Sequence, residues 1–87
     1  MSIQKTLDDQ GKIYGSYRLQ HELRCTIMHL IAVRHFEHHG TDMTMGQLLR
    51  IYDIVNKVSR LAVTPDHLDS WHDIIGYATL TEEVLKN

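Results

Sequence analysis

The sequence holds little that would settle a class at once, and each scarcity excludes something. There is a single cysteine, Cys25, so no internal disulfide forms and the chain suits a reducing cytoplasm. One proline and an ordinary hydrophobic fraction of 43% exclude a disordered or collagen-like chain. No apolar run exceeds a few residues, Leu30-Ile31-Ala32-Val33 being an example, so no membrane partner is expected. Met1 to Lys12 are polar and acidic rather than basic and then apolar, so no secretory signal is expected either. Positive charge is not in excess. A net charge of −2 and a pI near 6.3 argue against nucleic acid as a partner, because that needs a basic footprint. Gly-x-Gly-x-x-Gly, the P-loop and Gly-x-Ser-x-Gly are all missing, and Cys25 has no base placed beside it by sequence.

What is present reads as helix. Residues 1–15 form a polar lead-in closed by Tyr14-Gly15, a turn, with Ser16 as a cap. Residues 16–87 form a single helical domain. Leu19, Leu23, Ile27, Leu30 and Ile31 recur at three- and four-residue steps, predicting a helix over about 16–38 that Gly40 ends. Thr44 and Gln47 fit a capping box that opens a second helix over about 44–62. Its apolar positions Leu48, Ile51, Ile54, Val55, Val58, Leu61 and Ala62 cover more than half its circumference, so it is expected in the middle. Thr64-Pro65 ends it, and a third helix over about 66–86 follows, started by Pro65 or capped by Asp69. Trp71, Ile74, Ile75, Ala78 and Leu85 mark its expected buried face. The fold class is all-α, a three-helix hairpin or bundle. A chain this small buries roughly 60–65% of its unfolded surface, which is marginal. Three such helices do not hide the middle one's apolar surface, so a homo-oligomer is expected.

Two groups of side chains bear chemistry. Seven histidines are unusual for 87 residues, and His35, His38 and His39 gather at the end of the first helix. His35 and His39 share a face at metal-ligand spacing, yet no further ligand motif accompanies them, and histidines favour a helix's negative end. No metal site is assigned. On the second helix Asp53, Asn56, Lys57 and Arg60 form a polar stripe. Asn56, Lys57 and Arg60 are donors able to engage phosphate, or else to pair with Asp69 or Asp73 in an internal lattice.

Tyr14-Gly15, Asn56-Lys57-x-x-Arg60-Leu61 and Asp69-x-Trp71-x-Asp73-Ile74-x-Gly76-Tyr77 together resemble a family of small phage- and prophage-encoded helical proteins of unassigned function. The resemblance spans about residues 11–86. More distantly, the layout is similar to the all-α nucleotide pyrophosphohydrolases of the MazG type, oligomeric bundles that hold magnesium on Glu-x-x-Glu and Glu-x-x-Asp pairs. Neither pair is present here: the comparable stations carry Asp53, Asn56 and Lys57, then Asp69 and Asp73. A lysine where a cation should sit repels it.

The resemblance and the residues together predict a non-catalytic, oligomeric binder of a small nucleotide, sequestering a signal made by a host defence system. Trp71, Tyr77, Tyr14 and Tyr17 offer stacking faces, Asn56, Lys57 and Arg60 offer phosphate donors, and Asp69 and Asp73 complete the candidate set. No cofactor is expected. An alternative is a divergent nucleoside triphosphate pyrophosphohydrolase, which alone would require magnesium, and a further one is an inhibitor that docks on a host protein.

Overall fold

The computed structural model describes residues 15–87 together with Ile3. Three helices account for most of them: α1 (Tyr17–His39), α2 (Met45–Val63) and α3 (Leu68–Lys86). Among the described residues there is no strand, and the architecture is all-α and bundle-like. The middle helix α2 packs on both α1 and α3, while α1 and α3 do not pack on one another.

The helix ends follow from local chemistry. Gly15 takes φ +85° and leads into Ser16, which occupies the N-cap position of α1 without a side-chain capping bond. Gly40 closes α1 at φ 74°, its N–H donating to the Phe36 carbonyl at 2.7 Å. Both glycines adopt the left-handed conformation that side chains disfavour. At the start of α2 the capping box is complete: Gln47 N–H donates to Thr44 Oγ1 at 3.2 Å, and Thr44 N–H donates to Gln47 Oε1 at 2.9 Å. Thr64 N–H still donates to the Arg60 carbonyl, but Pro65 holds the residue before it extended and the helix stops. Helix α3 then starts later than expected. His67 is its N-cap residue, Pro65 and Asp66 form the turn, and Asp69 lies inside the first helical turn instead of capping it.

Burial departs from the apolar pattern, most of all on α3. Of the five residues expected to face inward, Trp71, Ile75 and Leu85 are 51%, 64% and 69% exposed, Ala78 is exposed, and only Ile74 is half-buried. The side chain that α3 buries completely is Ser70, at 0%. On α1, Leu19 and Leu30 of the expected stripe are also exposed, while Leu23, Ile27 and Ile31 are half-buried. Val55 and Leu61 on α2 are the buried hydrophobic residues, and Gln20, Lys57, Ser59 and Ser70 are buried with them. Small serines fit where large side chains would hold helices apart. Their hydroxyls are satisfied locally, Ser59 Oγ donating to the Asn56 carbonyl at 2.7 Å and Ser70 Oγ sharing a 2.7 Å hydrogen bond with His67 Nδ1.

Gly15 ties the start of α1 to the end of α2. A Cβ there would lie 2.8 Å from Val63 Cγ2 and 3.1 Å from Gln20 Nε2. Left-handed strain costs a non-glycine residue about 1–2 kcal/mol before any clash is counted. Gly15→Ala should therefore lower folding stability by at least that amount, read as a drop in the urea midpoint. An unchanged midpoint would refute the assignment.

Candidate functional site

The polar stripe of α2 is drawn inward rather than solvated. Asp53, Asn56 and Arg60 are half-buried, and Lys57 is buried with 9% of its surface exposed. An ammonium taken this far from water needs a partner. It has one in α3: Lys57 Nζ lies 2.9 Å from Asp73 Oδ2. The Asp73 side chain is 43% exposed, so the pair is sealed on the lysine side and open on the carboxylate side. The hydrogen bond from Lys57 holds the Asp73 carboxyl below its ordinary value; partial burial pushes the other way, and the charges of Lys57, His72 and Arg60 add to the lowering.

Beside this carboxylate is an open cavity of about 190 Å³, lined by His72, Asp73, Gly76, Tyr77 and Leu80. All five come from two turns of α3. A Cβ built at Gly76 meets nothing within 4 Å, so this glycine does not mark a close helix contact. Its bare backbone instead leaves the cavity between the ring-bearing side chains open. Binding sites for whole drug-sized ligands run to about 300–1,000 Å³, so this volume suits a fragment such as a base or a sugar.

The candidate residues divide accordingly. Lys57, Asp73 and Arg60 are brought together electrostatically, and Tyr77 shares the cavity with Asp73. Asn56 lies on the same helix face as Asp53 and Arg60 and takes the Ser59 hydroxyl on its carbonyl. Asp69 is exposed in the first turn of α3, one turn before Asp73. Trp71 and Tyr17 are not among the lining residues. The Trp71 indole N–H donates to the Pro65 carbonyl at 2.9 Å, stitching α3 to the preceding turn. Tyr17 stacks on His21 with ring centroids 6.0 Å apart, and the Arg24 guanidinium sits 5.9 Å from its ring. Tyr14 lies outside the described residues. His72, Gly76 and Leu80 were not singled out as ligand contacts by sequence. They recur at four-residue steps beside Asp73 and Tyr77, themselves four apart, and that shared helix face was the signal that could have found them.

Magnesium does not fit this arrangement. The carboxylate it would need is already on the Lys57 ammonium, and among the described residues no three His, Cys, Asp or Glu side chains are placed to hold a metal ion. The histidines at the end of α1 pack on each other, His35 against His39 at 4.4 Å and His38 against His39 at 4.7 Å between centroids. No helix among the described residues is long and apolar enough to cross a membrane.

No curated protein and no solved structure matches the chain. The family described as Domain of unknown function (DUF6378) matches residues 8–85, nearly its full length, and the chain belongs to that family.

Proposed function

We propose that this chain is a non-catalytic binder of a small nucleotide, with Asp73 and Tyr77 reading the nucleoside end. The observation that carries the reading is the pinned, half-exposed Asp73 carboxylate opening onto a cavity bordered by the Tyr77 and His72 rings. A fixed carboxylate accepts hydrogen bonds from a sugar hydroxyl or an exocyclic amine, and an aromatic face stacks a base. Arg60 and Asn56 supply donors for the phosphate end. Of the two roles its sequence leaves open, gripping phosphate or pairing with Asp69 or Asp73, Lys57 takes the second and orients Asp73. The role proposed is binding without turnover, because the Asp73 carboxylate is held on the Lys57 ammonium. In the phage-encoded setting that the sequence resemblance implies, such a protein would lower the free concentration of a host nucleotide signal.

Isothermal titration of the full chain against cyclic dinucleotides, ADP-ribose-type nucleotides and ATP tests this. At least one should bind and be recovered chemically unchanged. Tyr77→Ala should weaken that binding by about five- to hundredfold, the range expected for one base stack. Silence across the panel, or pyrophosphate release in magnesium, would end the proposal.

A further inference from the structure

We infer that the cavity beside the α1–α2 connection is a second ligand site, one that takes an aliphatic carboxylate such as a medium-chain fatty acid. It holds about 340 Å³, enough for a whole small ligand. Gln47, Arg50, Ile51 and Ile54 stand at i, i+3, i+4 and i+7 on one face of α2 and form its floor. Thr81 and Leu85 close it from α3, His35 from α1 and Met43 from the connection. All of these but Leu85 are half-buried. The fold itself has built the walls, and what they leave is a space of small-molecule size rather than a flat face. No residue lines both this cavity and the one beside Asp73, so the inference does not depend on nucleotide binding.

The chemistry of the lining identifies the occupant. Met43, Ile51, Ile54 and Leu85 offer a flexible apolar surface, and no Phe, Tyr or Trp ring is among the lining residues, so the body that fits is an alkyl chain and not a base. The polar groups of the lining are donors. Arg50 is the one fully charged side chain there. Among the described residues it has no ion pair and no hydrogen bond, Asp53 one helical turn further on included. A Cβ on Gly46 would lie 3.3 Å from Arg50 Nη1, so the bare glycine leaves the guanidinium its room over the first turn of α2. Gln47 accepts the Thr44 N–H on its amide oxygen at 2.9 Å, which leaves its amide nitrogen to donate, and the Thr81 hydroxyl is a further donor. A guanidinium half withdrawn from water without a counter-ion favours an anion, and it holds a carboxylate through two parallel hydrogen bonds. One cation matches one negative charge, which selects a carboxylate over the nearly doubly charged phosphate monoester.

Isothermal titration of the intact chain with hexanoate, octanoate, octanol and octylamine tests both halves of the match. Octanoate should bind one per chain, and more tightly than hexanoate by about two- to fourfold per added methylene. Octanol should bind about tenfold more weakly than octanoate, and octylamine more weakly still. Arg50→Met keeps the stem of the side chain and should bring octanoate down to the affinity of octanol, with helicity retained. If that variant loses helicity, Leu85→Glu replaces it: a carboxylate on the exposed wall should abolish octanoate binding by repulsion and by pairing with Arg50. Leu19→Glu, at a residue that does not line the cavity, should leave binding unchanged. A wild-type chain that binds no alkanoate would overturn the inference. So would octanol bound as tightly as octanoate, equal affinity for the two chain lengths, or a folded variant at position 50 or 85 that keeps the wild-type affinity.

Discussion

Asp73→Asn will lower the fold's resistance to denaturant at neutral pH and flatten its response to acid. Asparagine keeps the shape of aspartate but removes the charge, leaving the Lys57 ammonium buried without its counter-ion, whose oxygen lies 2.9 Å away in the wild type. Removing one member of such a pair is costly, whereas replacing the buried charge by an apolar group of similar shape is often neutral. Lys57→Met should therefore stay within about 1 kcal/mol of the wild type, because the half-exposed Asp73 can turn to water while the aliphatic stem still packs. The order of effects, Asp73→Asn above Lys57→Met, is the informative outcome. The acid response has a definite sign. The Asp73 carboxyl, chiefly through the hydrogen bond from Lys57, ionises below its ordinary value of 3.8. Its stabilising contribution is present above that ordinary value and is lost as the pH falls through the folded one. Urea midpoints at pH 7, 4 and 3 should fall more steeply for the wild type than for Asp73→Asn. Parallel slopes would show that the pair contributes nothing.

The helices were legible because their signals are local. Thr44 with Gln47, Gly40 and Thr64-Pro65 each act on a few neighbouring backbone groups, and each does so in the structure. The start of α3 was less legible because His67 carries no strong capping preference, while Asp66 and Asp69 on either side of it do. Which carboxylate Lys57 would take was open for a different reason. Asp69 and Asp73 are one helical turn apart, and periodicity fixes which residues share a face of α3 without fixing how far α3 slides along α2. That register selects Asp73. The buried face of α3 was misread because hydropathy says which residues avoid water, not which chain covers them. Trp71, Ile75 and Leu85 form an apolar surface beside the packed line of Ser70, Ile74, Tyr77 and Thr81. Polar character at Ser70 hid its place at the contact, because a serine bonded to His67 can be buried at little cost.

Ser70→Leu is the substitution that separates packing from hydropathy most clearly. Leucine is the more apolar residue and a better helix former than serine, so a reading from propensity expects a gain. The site is 0% exposed, with no room for three further carbon atoms unless α3 lifts away from what it packs on. Overpacking of this kind costs about 1–3 kcal/mol, and the hydrogen bond with His67 Nδ1, worth about 1 kcal/mol, is lost as well. The expected loss is about 3 kcal/mol, large for a fold whose whole stability is of the order of 5 kcal/mol. Leu19→Ser makes the opposite exchange on the apolar stripe of α1, at an exposed position, and should move stability by no more than about 0.5 kcal/mol. Denaturation of both variants at one chain concentration decides the matter. A more stable Ser70→Leu beside a crippled Leu19→Ser would mean that the apolar stripes, not the serines, face the neighbouring helices.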